Sequence, residues 1–144
     1  MSESHFSQIP KGVVVKQWTS FIDQIGMLVP IEFTDLPFVP LRMFSVNNVP
    51  AGSVRGGHAH HRTRQYLLCL AGKIRVLTID ANGKHEYTIA AGQGTLIENL
   101  TWDSQQFITG HEQLIVLCST RYDKNDYIMD FEKFKRLIRS AGSK

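Results

Sequence analysis

The 144-residue sequence contains only two cysteines, Cys69 and Cys118, and each lies inside an apolar run. Free cysteines pack as small buried hydrophobes, so this placement predicts two reduced core residues and argues against a disulfide or redox pair. No run approaches the roughly 20 apolar residues of a membrane span, and the first residues lack the form of a signal peptide. We therefore expect a cytoplasmic protein with no membrane partner.

The sequence also lacks a dense block of basic residues. Its net charge is +3, from 16 Lys and Arg against 13 Asp and Glu, and the positive side chains are scattered. Surfaces that bind nucleic acid concentrate their positive charge, so we expect no nucleic-acid partner. A phosphate-bearing small molecule needs only one or two well-placed cations, and such a ligand stays compatible with this charge.

No internal repeat, low-complexity tract or linker divides the chain. The length fits one domain, so we treat residues 1–144 as a single domain. Residues 1–11 are polar and short of pattern, which predicts a flexible leader.

Helical periodicity is nearly absent before residue 123, and short strand patterns take its place. Residues 73–79 alternate polar and apolar side chains, and Asn82-Gly83 behind them is the strongest short signal for a hairpin. The other strand patterns cover residues 12–16, 25–33, 41–46, 85–89, 95–97 and 113–119. Many short strands at regular spacing predict a β-sandwich or barrel.

The end of the chain differs from the rest. Phe131, Phe134 and Ile138 recur at helical spacing, Asp130 can cap the start, and basic residues fill the last turn. We predict one amphipathic helix over residues 130–139.

One stretch, Gly52 to Gly72, carries the strongest functional signal. It contains His58-Ala59-His60, and in a strand the two imidazoles project to one side and Ala59 to the other. An apolar run ended by glycine follows, which predicts a buried strand and a turn. The histidine pair is therefore expected at the core of the fold.

The same stretch resembles the first cupin motif, which places a glycine, a His-x-His pair, a glutamate and a closing glycine at set intervals. Gly52, His58, His60 and Gly72 match that spacing, and Gln65 stands where the motif has Glu. With the strand pattern, this resemblance implies an all-β fold, a cupin-like double-stranded β-barrel (jelly roll) with one C-terminal amphipathic helix.

Metal ligation is not expected at this motif. Metal-binding cupins use the two histidines, the Glu and a further histidine from a second motif, and Gln65 is a neutral amide that replaces a carboxylate poorly. The region that corresponds to the second motif, residues 92–102, contains no histidine, and His111 lies in a predicted loop. We predict neither a metal nor another cofactor.

Residues 32–134 resemble a particular cupin branch, the 3,4-ketoisomerases that act on nucleotide-linked 4-keto-6-deoxyhexoses. The resemblance rests on Leu36-Pro37-Phe38 with Arg42, on Arg55-Gly56-x-His58-Ala59-His60 with Gln65, on Trp102, and on Tyr122-Asp123-x-x-Asp126-Tyr127. It implies an isomerase that moves a keto group between C4 and C3 of a dTDP-linked sugar in deoxysugar biosynthesis, as for lipopolysaccharide O-antigen. It also implies a homodimer.

By the same resemblance, His58 and His60 are the catalytic pair. The unperturbed pKa of histidine, about 6.5, suits proton transfer near neutral pH. We favour His60 as the base and His58 as a partner that orients the sugar or relays a proton.

The resemblance further implies four substrate-binding residues, and each has a structural alternative. Arg42 and Arg55 can pair with diphosphate or sugar oxygens through their planar donors, or serve as surface cations. Gln65 can hold a sugar hydroxyl or a histidine, or bond within the core. Trp102 can stack on substrate or pack in the core. Tyr127 is expected to pack the helix on the barrel or on a partner subunit.

The chain departs from this branch at three points. The strand after Arg42 carries Phe44 where the branch is rich in tyrosine, whose hydroxyl assists proton transfer, and residues 103–107 also lack a tyrosine. His61 replaces a common lysine. Three alternatives therefore remain open: a non-catalytic sugar-nucleotide-binding cupin, an epimerase on a related keto-sugar, and a metal-dependent cupin enzyme.

Overall fold

The structure, a computed structural model, describes residues 9–142 and contains two five-stranded antiparallel sheets packed face to face. The elements are β1 (Val15–Gln17), β2 (Phe21–Asp23), β3 (Gly26–Leu28), β4 (Arg42–Asn47), β5 (Val54–His60), β6 (Gln65–Ala71), β7 (Lys73–Asp80), β8 (Gly83–Ala90), β9 (Gln93–Ile97), β10 (Trp102–Phe107), β11 (Gln113–Cys118), β12 (Tyr127–Ile128) and the helix α1 (Phe131–Gly142). The first sheet has the order β1-β9-β6-β11-β4 and the second β12-β5-β10-β7-β8; β2 and β3 form a separate hairpin. Most of the predicted leader, residues 1–8, lies outside the described residues.

The apolar run in β6 is buried on both faces of its sheet. Leu67 and Cys69 point into the sandwich, where they meet side chains of the second sheet. Tyr66 and Leu68 point to the other side, and Trp18 covers them together with the segment around Leu36. This double burial explains why the run lacks the alternation of a half-exposed strand.

Several of the strand predictions are confirmed. β7 alternates exposed and buried side chains, and it pairs with β8 through a hairpin that closes at Asp80 and Gly83. Residues 25–33 form less strand than predicted, because only Gly26–Leu28 pair and a 3-10 turn follows at Phe33–Asp35. Pro30 lies in the unpaired part, as expected for a residue without a backbone donor.

β10 is the longest of the strands that the hydrophobic pattern does not predict. Its inward-facing side chains are Asp103, Gln105 and Phe107, so two of the three buried positions are polar. A strand that buries polar side chains shows no apolar alternation in its sequence.

The C-terminal helix is confirmed, and it begins one residue after the predicted start. Asp130 caps it: its Oδ1 accepts hydrogen bonds from the Glu132 and Lys133 backbone amides at 2.9 and 3.3 Å. Phe134 is fully buried against the outer face of β5, where it meets Ala59. Within residues 9–142, no helix has the length and apolar character needed to cross a membrane.

Both cysteines are free and buried, as predicted. Cys69 lies in β6 and Cys118 in β11. Burial raises the pKa of the Cys69 thiol to about 11, so this side chain stays protonated and unreactive at neutral pH.

Candidate active site

His58 and His60 lie on the same face of β5, and Ala59 faces the helix on the other side, as the alternation predicts. The two imidazole ring centroids are 5.1 Å apart and the rings meet edge to face at 81°. His60 is buried and His58 is half-buried. The strand therefore holds both rings inside the sandwich at a fixed separation.

Asp126 fixes the chain immediately after His60. Its backbone carbonyl accepts a hydrogen bond from the His61 amide at 2.9 Å. Its carboxylate accepts hydrogen bonds from the Arg62 amide at 2.8 Å and the Thr63 amide at 3.1 Å. These bonds pair β12 with the end of β5 and place Tyr127 beside His60.

Tyr127 completes an aromatic cluster over the histidine pair. Its ring centroid is 4.4 Å from that of His60 and 5.2 Å from that of His58. The sequence predicted packing for Tyr127, against the helix or a partner subunit. The structure instead brings it to the catalytic candidates, a neighbour that depends on the register between two strands far apart in the chain.

Both histidines favour their neutral forms. Burial lowers the pKa of His58. The pKa of His60 falls to about 4, through burial first and then the nearby His58, although the Asp126 carboxylate acts in the opposite direction. Arg42 and His61 lower it further. Near neutral pH each ring can therefore accept a proton.

A small cavity of about 80 Å³ opens inside the sandwich beside His58. Its polar wall consists of Arg55, His58, Gln65, Asp103 and Gln105. Its apolar wall consists of Phe44, Val46, Leu67, Leu114 and Val116. Convergent polar groups on an apolar floor are the usual form of a small-molecule site.

Asp103 and Gln105 are site residues that the sequence analysis missed. Both are buried, and Gln105 Nε2 donates a hydrogen bond to Asp103 Oδ2. Burial raises the pKa of the Asp103 carboxyl to about 7, and this hydrogen bond opposes the rise. The signal that could have found them is the pair of polar residues at alternate positions between Trp102 and Phe107.

Gly56 permits the close contact between β5 and β10 at this cavity. It has φ of +89°, and an added Cβ would lie 3.0 Å from the Asp103 carbonyl oxygen and 3.1 Å from Ser104 Cα. The register of the two strands also shifts between Asp103 and Ser104. The Arg-Gly-x-His sequence therefore has a structural reason for its glycine.

Arg42 and Gln65 meet at one end of the sandwich. The two residues flank Cys118 on the neighbouring strands, and Gln65 Nε2 lies 3.5 Å from Cys118 Sγ. The Arg42 guanidinium lies 4.8 Å from the Phe44 ring centroid and 5.1 Å from that of Tyr122. Arg55 and Gln65 line the cavity together with His58, and Arg42 is close enough to His60 to lower its pKa.

The structure does not bring Trp102 to this site. Trp102 faces outward from β10, and its ring centroid lies 5.0 Å from that of Phe131 and 5.6 Å from that of Phe134. Because Asp103 faces inward, its neighbour in the strand must face the helix. The observed role of Trp102 is to pack α1 on the sheet.

Within residues 9–142, no three His, Cys, Asp or Glu side chains lie close enough together to hold a metal ion. His111 lies in the exposed loop between β10 and β11. A larger cavity, of about 620 Å³, opens near the β7-β8 hairpin beside Lys11 and His85. Neither His58 nor His60 lines it, so we place the candidate active site at the smaller cavity.

Two antiparallel sheets around an inward-facing His-x-His pair define a cupin-like barrel. The family described as "FdtA: WxcM-like, C-terminal" matches residues 11–139. This chain belongs to that family.

Relatives of the chain are similar over most of their length. The TDP-4-oxo-6-deoxy-alpha-D-glucose-3,4-oxoisomerase of Aneurinibacillus thermoaerophilus is 32% identical over 126 residues, which cover 86% of this chain and 91% of that enzyme. The crystal structure of QdtA, a sugar 3,4-ketoisomerase from Thermoanaerobacterium thermosaccharolyticum in complex with TDP, has a TM-score of 0.82 at 26% identity, with 91% of this chain and 97% of that one covered. The RmlC epimerase of Mycobacterium tuberculosis shares the fold at a TM-score of 0.67 and 14% identity, covering 81% of this chain and 68% of that one.

Proposed function

We propose that the protein is a 3,4-ketoisomerase that moves a keto group between C4 and C3 of a TDP-linked 4-keto-6-deoxyhexose, in deoxysugar biosynthesis. The observation that carries the proposal is the pair of neutral imidazoles on β5, one buried and one half-buried, next to a small cavity with a polar wall. The similarity to the oxoisomerase of A. thermoaerophilus supports the same reaction and the same class of substrate.

His60 acts as the base in this proposal, and His58 orients the sugar or relays a proton. The Asp126 carboxylate acts on His60 and favours its charged form, which is the form that results when the ring takes a proton from carbon. Tyr127 shields both rings from water. The reaction is redox-neutral, because the proton removed beside the ketone returns to the neighbouring carbon.

Arg42 and Arg55 bind the diphosphate or sugar oxygens. Arg42 is half-buried at one end of the sandwich, and Arg55 reaches the cavity from the exposed start of β5. A guanidinium presents a planar fork of donors that suits phosphate oxygens. Titration calorimetry with TDP tests this role. Arg42→Gln and Arg55→Gln should each weaken binding by roughly tenfold, and unchanged affinity in both variants would exclude it.

Solvent exchange tests the reaction itself. Incubation with TDP-4-keto-6-deoxyglucose in deuterated water should place deuterium on a sugar carbon and yield the 3-keto product. His60→Ala should abolish exchange, while His111→Ala, in the exposed loop, should leave it unchanged. Tight binding of the sugar nucleotide with no exchange would instead identify a binding protein.

We also propose that the β2-β3 hairpin presents an apolar surface to a second copy of the chain. Phe21, Ile22 and Leu28 of the β2-β3 hairpin are 61%, 74% and 60% exposed. Large exposed apolar side chains that lie close together mark interaction surfaces. Light scattering should report a dimer, and Ile22→Glu should disrupt it. The control is Met129→Glu, which changes an exposed residue beside α1 and should leave the dimer intact. A monomeric parent chain would contradict the proposed dimer.

A further inference from the structure

Asp103 lies directly opposite His58 in the pairing of β10 with β5, and both side chains line the same cavity. Asp103 is only 1% exposed. Its Oδ1 atom and His58 Nδ1 are buried without a hydrogen-bond partner in the described part of the chain. A buried carboxyl group with a free oxygen is costly to keep, so its position in a cavity wall indicates a ligand.

The chemistry of the cavity wall restricts which group can carry a hydroxyl proton. Phe44 has no hydroxyl group, and the amides of Gln65 and Gln105 do not give up protons near neutral pH. Arg55 keeps its proton throughout the working range. Among the side chains that line this cavity, Asp103 is the one oxygen acid.

We propose that Asp103 is a third catalytic residue, which carries the hydroxyl proton between the two sugar oxygens while His60 moves the carbon-bound proton. This assignment rests on the ketoisomerase function proposed above. It supplies the acid that the phenyl ring of Phe44 lacks.

The two half-reactions balance with these groups alone. In the first, His60 takes the proton from C3 as protonated Asp103 gives its proton to the C4 carbonyl oxygen, so that a C3–C4 double bond forms between two hydroxylated carbons. In the second, the Asp103 carboxylate takes the proton from the C3 hydroxyl as His60 returns its proton to C4. C3 becomes the ketone, C4 becomes the alcohol, and both residues regain their first states.

The surroundings of Asp103 keep its carboxyl group protonated up to about neutral pH. Burial raises its pKa to about 7, against the hydrogen bond from Gln105. The titratable and charged side chains near Asp103 are His58 and Arg55 on β5 and Tyr87 on β8. The pKa of Tyr87 is itself raised, mainly by burial and to a smaller extent by the charge of Asp103. A carboxyl group in this state can both donate and accept a proton.

Asp103→Asn separates the two proton transfers. An amide still donates a hydrogen bond to the C4 oxygen, so exchange of the C3 proton with deuterated water should stay within roughly tenfold of the parent rate. Formation of the 3-keto product should instead fall by roughly 100-fold or more, because the amide does not carry the hydroxyl proton. Ser104→Ala, the next position of the same strand, should change neither rate.

Three results would overturn the assignment. The first is product formation by Asp103→Asn within about threefold of the parent rate. The second is an equal loss of exchange and of product formation in that variant. The third is a kcat/KM of the parent enzyme that stays flat above pH 7 instead of falling by roughly tenfold per pH unit. The last measurement needs no variant, so it tests the assignment in the parent protein itself. A parent chain that neither exchanges nor converts the sugar would refute the proposed function instead.

Discussion

The Tyr127 ring lies 4.4 Å from the His60 ring, centroid to centroid, because β12 pairs with β5 at these two residues. This ring limits the access of water to His60, and burial is the main cause of the low pKa of that histidine. We therefore expect the pairing of this two-residue strand to influence the protonation state of the proposed base.

Removal of the Tyr127 ring should raise the pKa of His60. In Tyr127→Ala the imidazole becomes hydrated, so its pKa should rise from about 4 toward the ordinary histidine value. The acid limb of kcat/KM should then move to higher pH. NMR titration of the His60 ring protons gives the pKa directly.

Tyr127→Phe is the matched control, because it keeps the ring and removes the hydroxyl group. It should leave the pKa of His60 unchanged. If both variants titrate like the parent, the ring does not control the base.

Asp126→Asn should lower stability by about 2 kcal/mol, because a neutral amide accepts the backbone hydrogen bonds of Arg62 and Thr63 less well than a buried carboxylate does. It should also lower the pKa of His60 further, since the Asp126 charge raises it. Urea unfolding measures the first effect. Asp123→Asn, at a more exposed carboxylate that also contacts Arg62, is the control and should cost less than about 0.5 kcal/mol.

The sequence predicts those parts of the site that follow from local patterns, and it does not predict contacts between residues far apart in the chain. The shared face of His58 and His60 follows from alternation within one strand, and the helix follows from its own periodicity and cap. The contact of Tyr127 with His60 joins residues 67 positions apart, by their numbers, and only the strand register creates it. No local pattern contains that register.

β10 illustrates a second limit. Its inward positions hold Asp103 and Gln105 because they line a cavity, and the same polarity removes the apolar alternation that would reveal a strand. A contact between Trp102 and the substrate would require this side chain to face into the sandwich, but Asp103 and Gln105 take the inward positions and Trp102 faces α1. A strand whose buried side chains serve a site is therefore hard to predict from hydrophobicity.

Gly72→Ala should destabilise the fold by about 2 kcal/mol or more. Gly72 closes the motif with φ of +72°, and an added Cβ would clash with the buried Glu112 carboxylate. That carboxylate accepts hydrogen bonds from the Lys73, Thr109 and Gly110 backbone amides, so it cannot move aside without losing them. Thermal unfolding measures the effect. Gly83→Ala, where φ is also positive but no atom lies near the added Cβ, is the control and should cost less.

Asp103→Asn should stabilise the protein, and by more at pH 8 than at pH 5. The pKa of Asp103 rises from 3.8 to about 7 on folding. Between those values the folded state keeps a proton that the unfolded state has lost, so the parent loses stability as pH rises through this window. Asparagine does not titrate, and its advantage should grow by roughly 2.5 kcal/mol between pH 5 and pH 8. Urea unfolding of the parent and the variant at the two pH values gives the difference in their free energies of unfolding. Titration of His58 and His60 affects both proteins, and it cancels from this difference where it is the same in both. An advantage that stays constant with pH would mean that Asp103 ionises in the folded protein as it does in water, and that it cannot hold the proton that the proposed transfer between oxygens requires.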